Sequence, residues 1–158
     1  NCLELEVTES MVMQHETWAK QTFEQLKSLG VLVTIDDFGT GYSSLSRLRQ
    51  FAVDRLKIDQ AFVQELHSNS EDRTLVDAII KMGQTLGLQV VAEGVEHFSQ
   101  LVYLQEEKCD LAQGFLLSQP LSATEAQALL QKLSDTLDTS RTKRLATLLQ
   151  LPKAVNLQ

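Results

Sequence analysis

Acidic residues and one lysine stand at the ends of apolar segments along the chain. Asp36 and Asp37 directly follow the segment VLVTI, and Lys57 lies near the end of VDRLKI. The carboxyl-terminal edge of a parallel sheet is where α/β proteins bind ligands, so the pattern predicts a site there. The complete set of polar residues at these strand ends is Glu6, Glu9, Asp36, Asp37, Lys57, Asp59, Glu93, Glu96 and Gln113.

The residue types in this set favour phosphate chemistry assisted by metal ions. A single acidic strand end is usually a helix cap or a turn, but carboxylates at several strand ends of one edge repel each other and need cations. Oxygen ligands without clustered Cys or His suit Mg²⁺, Mn²⁺ or Ca²⁺. The pair Asp36-Asp37 suits two ions with one bridging carboxylate, an arrangement that clamps a phosphoryl group and activates water. Lys57 would orient that water or stabilise the developing charge.

The elements that must position these residues alternate regularly between apolar and helical patterns. Strands are predicted at 3–7, 31–35, 53–58, 88–92 and 111–117, the last with Gln113 and Gly114 inside it. Helices are predicted at 15–29, 45–51, 72–86 and 124–137, with Ser122 or Thr124 as the cap of the last. In the first helix, Trp18, Phe23, Leu26 and Leu29 would share one face. Repeated βα units indicate a parallel sheet in an α/β fold.

Composition limits the other classes of function. The chain has 158 residues, a net charge of −7 and 43% hydrophobic residues, which are values typical of one globular domain. The negative charge argues against binding to DNA or RNA duplexes. No apolar run reaches the length of a membrane span. Cys2 and Cys109 are 107 positions apart and form no metal-binding motif, so a zinc site is not expected.

Five sequence blocks together resemble the EAL-domain family of bacterial cyclic di-GMP phosphodiesterases. The blocks are LELEVTES (3–10), IDDFGTGYSSLSRL (35–48), VDRLKIDQAFV (53–63), VVAEGVE (90–96) and QGFLLSQPL (113–121). They follow the family's order over residues 3–137. The resemblance implies a TIM-type barrel, of which this chain would hold about five consecutive βα units as a partial barrel. It also implies hydrolysis of cyclic di-GMP to linear pGpG with two Mg²⁺ or Mn²⁺ ions.

The resemblance also implies roles for individual residues. The implied metal ligands are Glu6, Asp36, Asp37 and Glu93, with Asp36 bridging the two ions. Lys57 and Glu93 are the implied catalytic residues, and Gln113 is expected to support the water and the substrate. Glu9 is expected to brace the loop 38–44, which couples metal binding to dimerisation in this family, and Glu96 is expected to play a similar supporting part.

One departure from the family pattern limits these expectations. The Glu-Ala-Leu segment and an Asn-bearing strand that normally supply ligands to the first metal lie upstream of the family positions found here. A complete barrel of this type needs about 250 residues. We therefore expect the first metal site to be incomplete and this fragment alone to be inactive or weak. Residues 1–137 are expected to form the C-terminal portion of an EAL domain, and 138–158 a tail or linker that could hold a helix at 145–151.

Two other functions remain open at the level of the sequence. The first is a non-catalytic EAL module that acts as a nucleotide receptor or a protein-interaction domain. The second is a structural α/β module whose acidic residues only cap helices. The partners expected from the resemblance are cyclic di-GMP, a second copy in a homodimer, and sensory or diguanylate-cyclase domains fused in the parent protein. The domain is expected in the cytoplasm, with a parent that could be anchored in the membrane.

Overall fold

The computed structural model describes residues 3–40, 48–67 and 70–136, with the backbone alone for 67 and 134–136. The chain divides into two compact units, Asn1–Gln113 and Gly114–Gln158. No helix in these stretches is long and apolar enough to cross a membrane. The first unit contains β1 (Glu4–Thr8), α1 (Glu9–Gln14), α2 (Glu16–Ser28), β2 (Leu32–Phe38), β3 (Arg55–Ile58), α3 (Gln60–Gln64), α4 (Ser70–Leu86), β4 (Gln89–Ala92), α5 (Phe98–Glu106) and β5 (Leu111–Ala112).

The strands form one parallel sheet in the order β1-β2-β3-β4-β5. The register pairs Glu6 with Thr34, Thr34 with Arg55, and Arg55 with Gln89. Helices alternate with the strands, as the sequence pattern predicts for an α/β fold. The sheet in the described residues is open, so they form part of a barrel and do not close one.

The two faces of the sheet carry different side chains because successive residues of a strand point to opposite faces. One face holds fully buried apolar residues such as Val33, Leu56 and Val90, and the helices supply Phe23, Val76, Ile79, Ile80 and Leu104 to the core. The other face holds polar residues that bond across strands. Glu4 there contacts both Thr34 and Arg55, and the Nε of Arg55 donates to Gln89 at 3.0 Å.

The helix predicted at 15–29 is α2, and the apolar residues predicted to share one of its faces differ in exposure. Phe23 is buried, together with Ala19. Trp18 is 50% exposed and Leu29 is 77% exposed, so the four residues predicted to share one face are not buried together. Because α2 ends at Ser28, Leu29 lies in the turn before Gly30, whose φ of 77° ends the helix in the left-handed conformation.

Two strand boundaries also differ from the predictions. β2 continues to Phe38, so Asp36 and Asp37 lie inside the strand, where the register to β3 shifts between Ile35 and Phe38. β5 covers only Leu111–Ala112, so the strand predicted at 111–117 was too long. Beyond it, the carbonyl of Gly114 accepts hydrogen bonds from the amides of Leu117 and Ser118, which makes a turn.

Three short helices escaped the sequence analysis: α1, α3 and α5. Each is under ten residues, too short for a clear hydrophobic period. In the second unit, α6 (Ala123–Thr136) begins after Ser122, as predicted. The Ser122 hydroxyl and Glu125 carboxylate form a capping box that lowers the pKa of Glu125 through hydrogen bonds from Ser122. The predicted helix at 145–151 and residues 45–47 of the helix predicted at 45–51 lie outside the described residues.

Candidate functional site

The centre of the polar face is the ammonium group of Lys57. Its Nζ lies 3.0 Å from Glu6 Oε2, 3.1 Å from Asp36 Oδ1 and 3.4 Å from Glu93 Oε2. The Lys57 side chain is 4% exposed, whereas that of Glu6 is 46% exposed. Strands β1, β2, β3 and the end of β4 therefore bring three of the predicted metal ligands to one buried cation.

The electrostatics of this cluster favour the charged form of Lys57. Burial alone would lower its pKa. Hydrogen bonds to Glu6 and Asp36, with the charges of Asp36 and Glu93, outweigh burial and raise the pKa of Lys57 above its ordinary value. The lysine is therefore an ammonium at neutral pH, a donor and a fixed positive charge.

Asp37 has an unusual backbone and an unfavourable electrostatic position. Its φ is 53°, and its amide donates to Asp36 Oδ1 at 3.0 Å. Burial raises the pKa of Asp37, and the charges of Asp36 and Asp59 raise it further against the opposing effect of Lys57. Asp37 and Asp59 are within hydrogen-bonding reach of each other. The carboxylates thus lie close to one another, and the charge of Lys57 offsets part of their repulsion.

Asp59 received no specific role from the sequence analysis. It caps α3, accepting a hydrogen bond from the amide of Ala61 at 2.7 Å, and it also faces Asp37. A signal was present: Asp59 follows Lys57 by two residues at the end of β3, the same position relative to the sheet as the other acidic residues.

Glu9 is buried at the start of α1, only 2% exposed. Its Oε2 accepts a hydrogen bond from the amide of Gly39 at 3.1 Å, and its Oε1 has no hydrogen-bond partner among the described residues. A buried carboxylate thus holds the first part of the loop after β2. The rest of the loop 38–44 that Glu9 is predicted to brace, from 41 onwards, lies outside the described residues.

The last two predicted residues lie at the same edge of the sheet. Glu96 follows β4 and is exposed, and its amide donates to the side chain of Gln100. Gln113 follows β5 with an exposed side chain. The backbone of Gln113 donates to Ala92 at 2.8 Å and accepts from Val95 at 3.0 Å, which places it beside the end of β4.

The donor set suits a hard divalent cation by its chemistry. All donors are carboxylate oxygens, which Mg²⁺ and Mn²⁺ prefer, and burial, together with the charges of Asp36 and Asp59, raises the pKa of Asp37, so a nearby cation would favour its charged form. In the described stretches, no three Asp, Glu, His or Cys side chains are grouped closely enough to hold a metal ion. Glu6, Asp36 and Glu93 instead contact Lys57.

Comparison with known proteins gives the same family as the sequence blocks. The EAL domain matches residues 1–120. Cyclic di-GMP phosphodiesterase NbdA of Pseudomonas aeruginosa is 49% identical over 119 residues, which are 75% of this chain and 15% of NbdA. The chain therefore spans a small part of the length of such relatives.

Two solved structures resemble the chain closely. One is the PaMucR phosphodiesterase in a c-di-GMP complex, with a TM-score of 0.76 and 46% identity over 78% of this chain and 50% of that one. The other is the EAL domain of Mycobacterium smegmatis DcpA, with a TM-score of 0.76 and 50% identity over 82% of this chain and 58% of that one. The family match covers most of the 158 residues, so the chain belongs to the EAL-domain family.

Proposed function

We propose that this chain is part of a metal-dependent phosphodiesterase that hydrolyses cyclic di-GMP to linear pGpG. The observation that carries the proposal is the convergence of Glu6, Asp36 and Glu93 on Lys57 at the carboxyl edge of a parallel sheet. Relatives named as cyclic di-GMP phosphodiesterases support the substrate and the reaction class. The substrate is a phosphodiester with two negative charges, so an acidic edge needs cations to receive it.

The residues proposed to hold Mg²⁺ or Mn²⁺ are Glu6, Asp36, Asp37 and Glu93. When bound, such cations offset the charge of the phosphodiester and lower the pKa of a bound water. Asp36 is proposed as the ligand shared by both ions, and its contacts with Lys57 and with the backbone of Asp37 support this role. Upstream ligands of the parent domain are expected to complete the first site.

Lys57 is proposed to stabilise the charge that develops on the phosphoryl group. Its ammonium is buried and held by three carboxylates, so little reorganisation is needed during the reaction. Hydrolysis adds a water oxygen to phosphorus while a ribose 3′ oxygen leaves and takes up a proton. Gln113 is proposed to support the water and substrate, with Glu9 and Glu96 supporting the neighbouring loops.

The proposal extends to partners of the parent protein. A homodimer and fusion to sensory or diguanylate-cyclase domains are proposed. A relative named as a bifunctional diguanylate cyclase/cyclic di-GMP phosphodiesterase, MucR of Pseudomonas aeruginosa, is 46% identical over 78% of this chain and supports the fusion.

The test is hydrolysis of cyclic di-GMP by the purified chain, with Mg²⁺ or Mn²⁺, followed by chromatography for pGpG. Activity is expected to be weak in this chain, to disappear with EDTA, and to disappear in Glu93→Gln. Glu24→Gln is the matched control, because Glu24 is exposed on α2. Turnover that survives EDTA would overturn the metal dependence.

A second measurement separates the enzyme from the other two functions. If the chain binds cyclic di-GMP in calorimetry but neither it nor its parent domain hydrolyses it, the receptor function is correct. If Asp36→Asn with Asp37→Asn stabilises the chain and leaves Mg²⁺ affinity unchanged, the acidic residues serve only as caps. The proposal expects these two substitutions to weaken Mg²⁺ binding by about tenfold or more.

A further inference from the structure

Gln100 is the one glutamine side chain that is fully buried in the described part of the chain, 1% exposed. It lies in the first turn of α5. Burying an amide group is costly unless its donors and acceptor are paired. Its oxygen and its nitrogen both have partners, and those partners belong to two different segments of the site.

The amide oxygen of Gln100 holds the loop that follows β4. Oε1 accepts hydrogen bonds from the amides of Glu96 at 2.9 Å and His97 at 2.8 Å. Two backbone amides nearer the start of this loop are also bonded. The amide of Glu93 donates to the carbonyl of Ile58, and the amide of Val95 donates to the carbonyl of Gln113. The loop that begins with Glu93 is thus held at both ends.

The amide nitrogen of Gln100 holds the segment that follows β3. Nε2 donates to the carbonyl of Val63 at 3.0 Å, near the end of α3. The backbone amide of Glu65 also donates to this carbonyl, so Gln100 supplies a second hydrogen bond to the same acceptor and ties the end of α3 to α5. Helix α3 begins one residue after Asp59 and three after Lys57.

The same two segments also touch directly, with no room between them. Gly94 has a φ of 72°, and a Cβ placed on it would lie 2.6 Å from the Cβ of Gln60. Only glycine fits this approach, because of both its conformation and the space. The turn after Glu93 therefore lies against the start of α3, and Gln100 fastens this contact from the side.

We propose that Gln100 is a positioning residue that holds the loop of Glu93 against the segment after Lys57. The role rests on the proposed function, since it acts through the placement of Glu93 opposite the Lys57 ammonium. Removing its amide should leave the strands in place and allow the loop after β4 to move. The effect expected of such an indirect support is a tenfold to hundredfold loss, roughly, in activity or metal affinity.

The experiment compares Gln100→Met, Gln100→Glu and the control Gln84→Met by amide hydrogen exchange and by kinetics. Gln84 is exposed on α4 and makes one side-chain bond, to the carbonyl of Lys108 at 3.2 Å. In Gln100→Met, exchange in 93–97 should accelerate about tenfold or more, while β4 stays protected. kcat should fall about tenfold or more, with KM within about threefold.

Gln100→Glu keeps the acceptor oxygen for the amides of Glu96 and His97 and replaces the donor to Val63 by a second oxygen, so its loop should stay protected and its kcat should be intermediate. If Gln100→Met does not fold, this variant carries the test. Unchanged exchange in 93–97, or equal loss of protection in Met and Glu variants, overturns the positioning role. Faster exchange with unchanged kcat overturns it as well. If neither the wild-type chain nor its parent domain hydrolyses cyclic di-GMP, the proposed function is wrong instead. The hydrogen-exchange result then still tests whether Gln100 holds the loop in position.

Discussion

Lys57 on β3 reaches across β2 to bond Glu6 on β1, with 3.0 Å between Nζ and Oε2. The two residues are 51 positions apart in the chain. Their meeting depends on the parallel register, which places Thr34 of β2 between the backbones of the outer strands. One ammonium thus joins strands that do not pair, and it lies where the carboxylates would otherwise only repel each other.

Replacing Lys57 by Met should reduce turnover strongly. In metal-free buffer it should also destabilise the chain. The buried side-chain volume is kept, but Glu6, Asp36 and Glu93 lose their cation. We expect kcat for cyclic di-GMP to fall by about 10²–10³-fold. The free energy of unfolding should fall by about 1–3 kcal/mol, less than for a fully buried pair, because the carboxylates are partly exposed.

Urea denaturation with and without Mg²⁺ checks this prediction. Mg²⁺ should stabilise the variant more than the wild type, because the carboxylates that contact Lys57 in the wild type have lost that positive charge in the variant. Lys81→Met is the control, since Lys81 is exposed on α4. Equal stability of Lys57→Met and Lys81→Met in metal-free buffer would show that the ammonium contributes nothing net to folding.

Replacing Gly83 by Ala should destabilise the chain, although the same change usually stabilises a helix by about 1 kcal/mol. A Cβ on Gly83 would lie 2.2 Å from Cγ2 of Val90, so α4 and β4 would have to separate. Overpacking of this kind costs about 1–3 kcal/mol and outweighs the helix propensity. Adding Val90→Ala to Gly83→Ala makes room, and the two changes should couple by about 1 kcal/mol in urea denaturation.

A position can require glycine because of its backbone conformation or because a Cβ would not fit, and Gly87→Ala tests the first cause alone. Gly87 has a φ of 72° and open space around the position of a Cβ. Its substitution should cost about 1 kcal/mol from backbone strain alone. Additive effects of Gly83→Ala and Val90→Ala would contradict the packing argument for Gly83.

The sheet and the location of the site could be predicted from the sequence because both depend on local patterns. β-branched runs mark β2 and β4, and polar residues directly after such runs mark the carboxyl edge. The apolar residues in 111–117 resemble a strand equally well, but the turn at Gly114 ends the strand early. Hydrophobicity alone does not show such a turn.

The contacts within the site depend on long-range placement and could not be predicted in this way. The pattern favoured carboxylates near Lys57, yet the choice of Glu6, Asp36 and Glu93 as its partners requires the register of four strands. Gln100 escaped because the carbonyl that it bonds is 37 positions away and its helix is short.

The thiol of Cys109 should react slowly with alkylating reagents at neutral pH. Burial, with a smaller contribution from the charge of Asp110, outweighs the opposing backbone hydrogen bonds and raises the pKa of Cys109 to about 11. Since the thiolate is the reactive form, alkylation at pH 8 should be about a hundredfold slower than that of an ordinary thiol. Mass spectrometry of iodoacetamide adducts on Cys2→Ser, folded and in urea, measures this ratio. A rate that levels off near pH 9 in the folded chain would contradict it.

Tyr103 on α5 should stabilise the chain through its bond to Asp77 on α4. Its hydroxyl donates to the Asp77 carboxylate, and the guanidinium carbon of Arg73 lies 4.6 Å from the ring centre. Tyr103→Phe should lower the free energy of unfolding by about 1–2 kcal/mol, as for hydrogen bonds to charged groups. A double-mutant cycle with Asp77→Asn measures the coupling between the two side chains. Turnover should not change, because neither residue touches the Lys57 cluster.

The same pair predicts a loss of stability in alkali. Burial raises the pKa of Tyr103, and the bond to Asp77 and its charge raise it further. The folded chain therefore keeps the phenol protonated above pH 10, whereas the unfolded chain releases the proton there. The stability contributed by the Tyr103 hydroxyl is complete below about pH 10 and is lost as the pH rises towards the pKa of Tyr103 in the folded chain. The difference in unfolding free energy between wild type and Tyr103→Phe should thus be constant from pH 7 to 9 and shrink above 10, and a difference that grows above pH 10 would rule out the protonated donor.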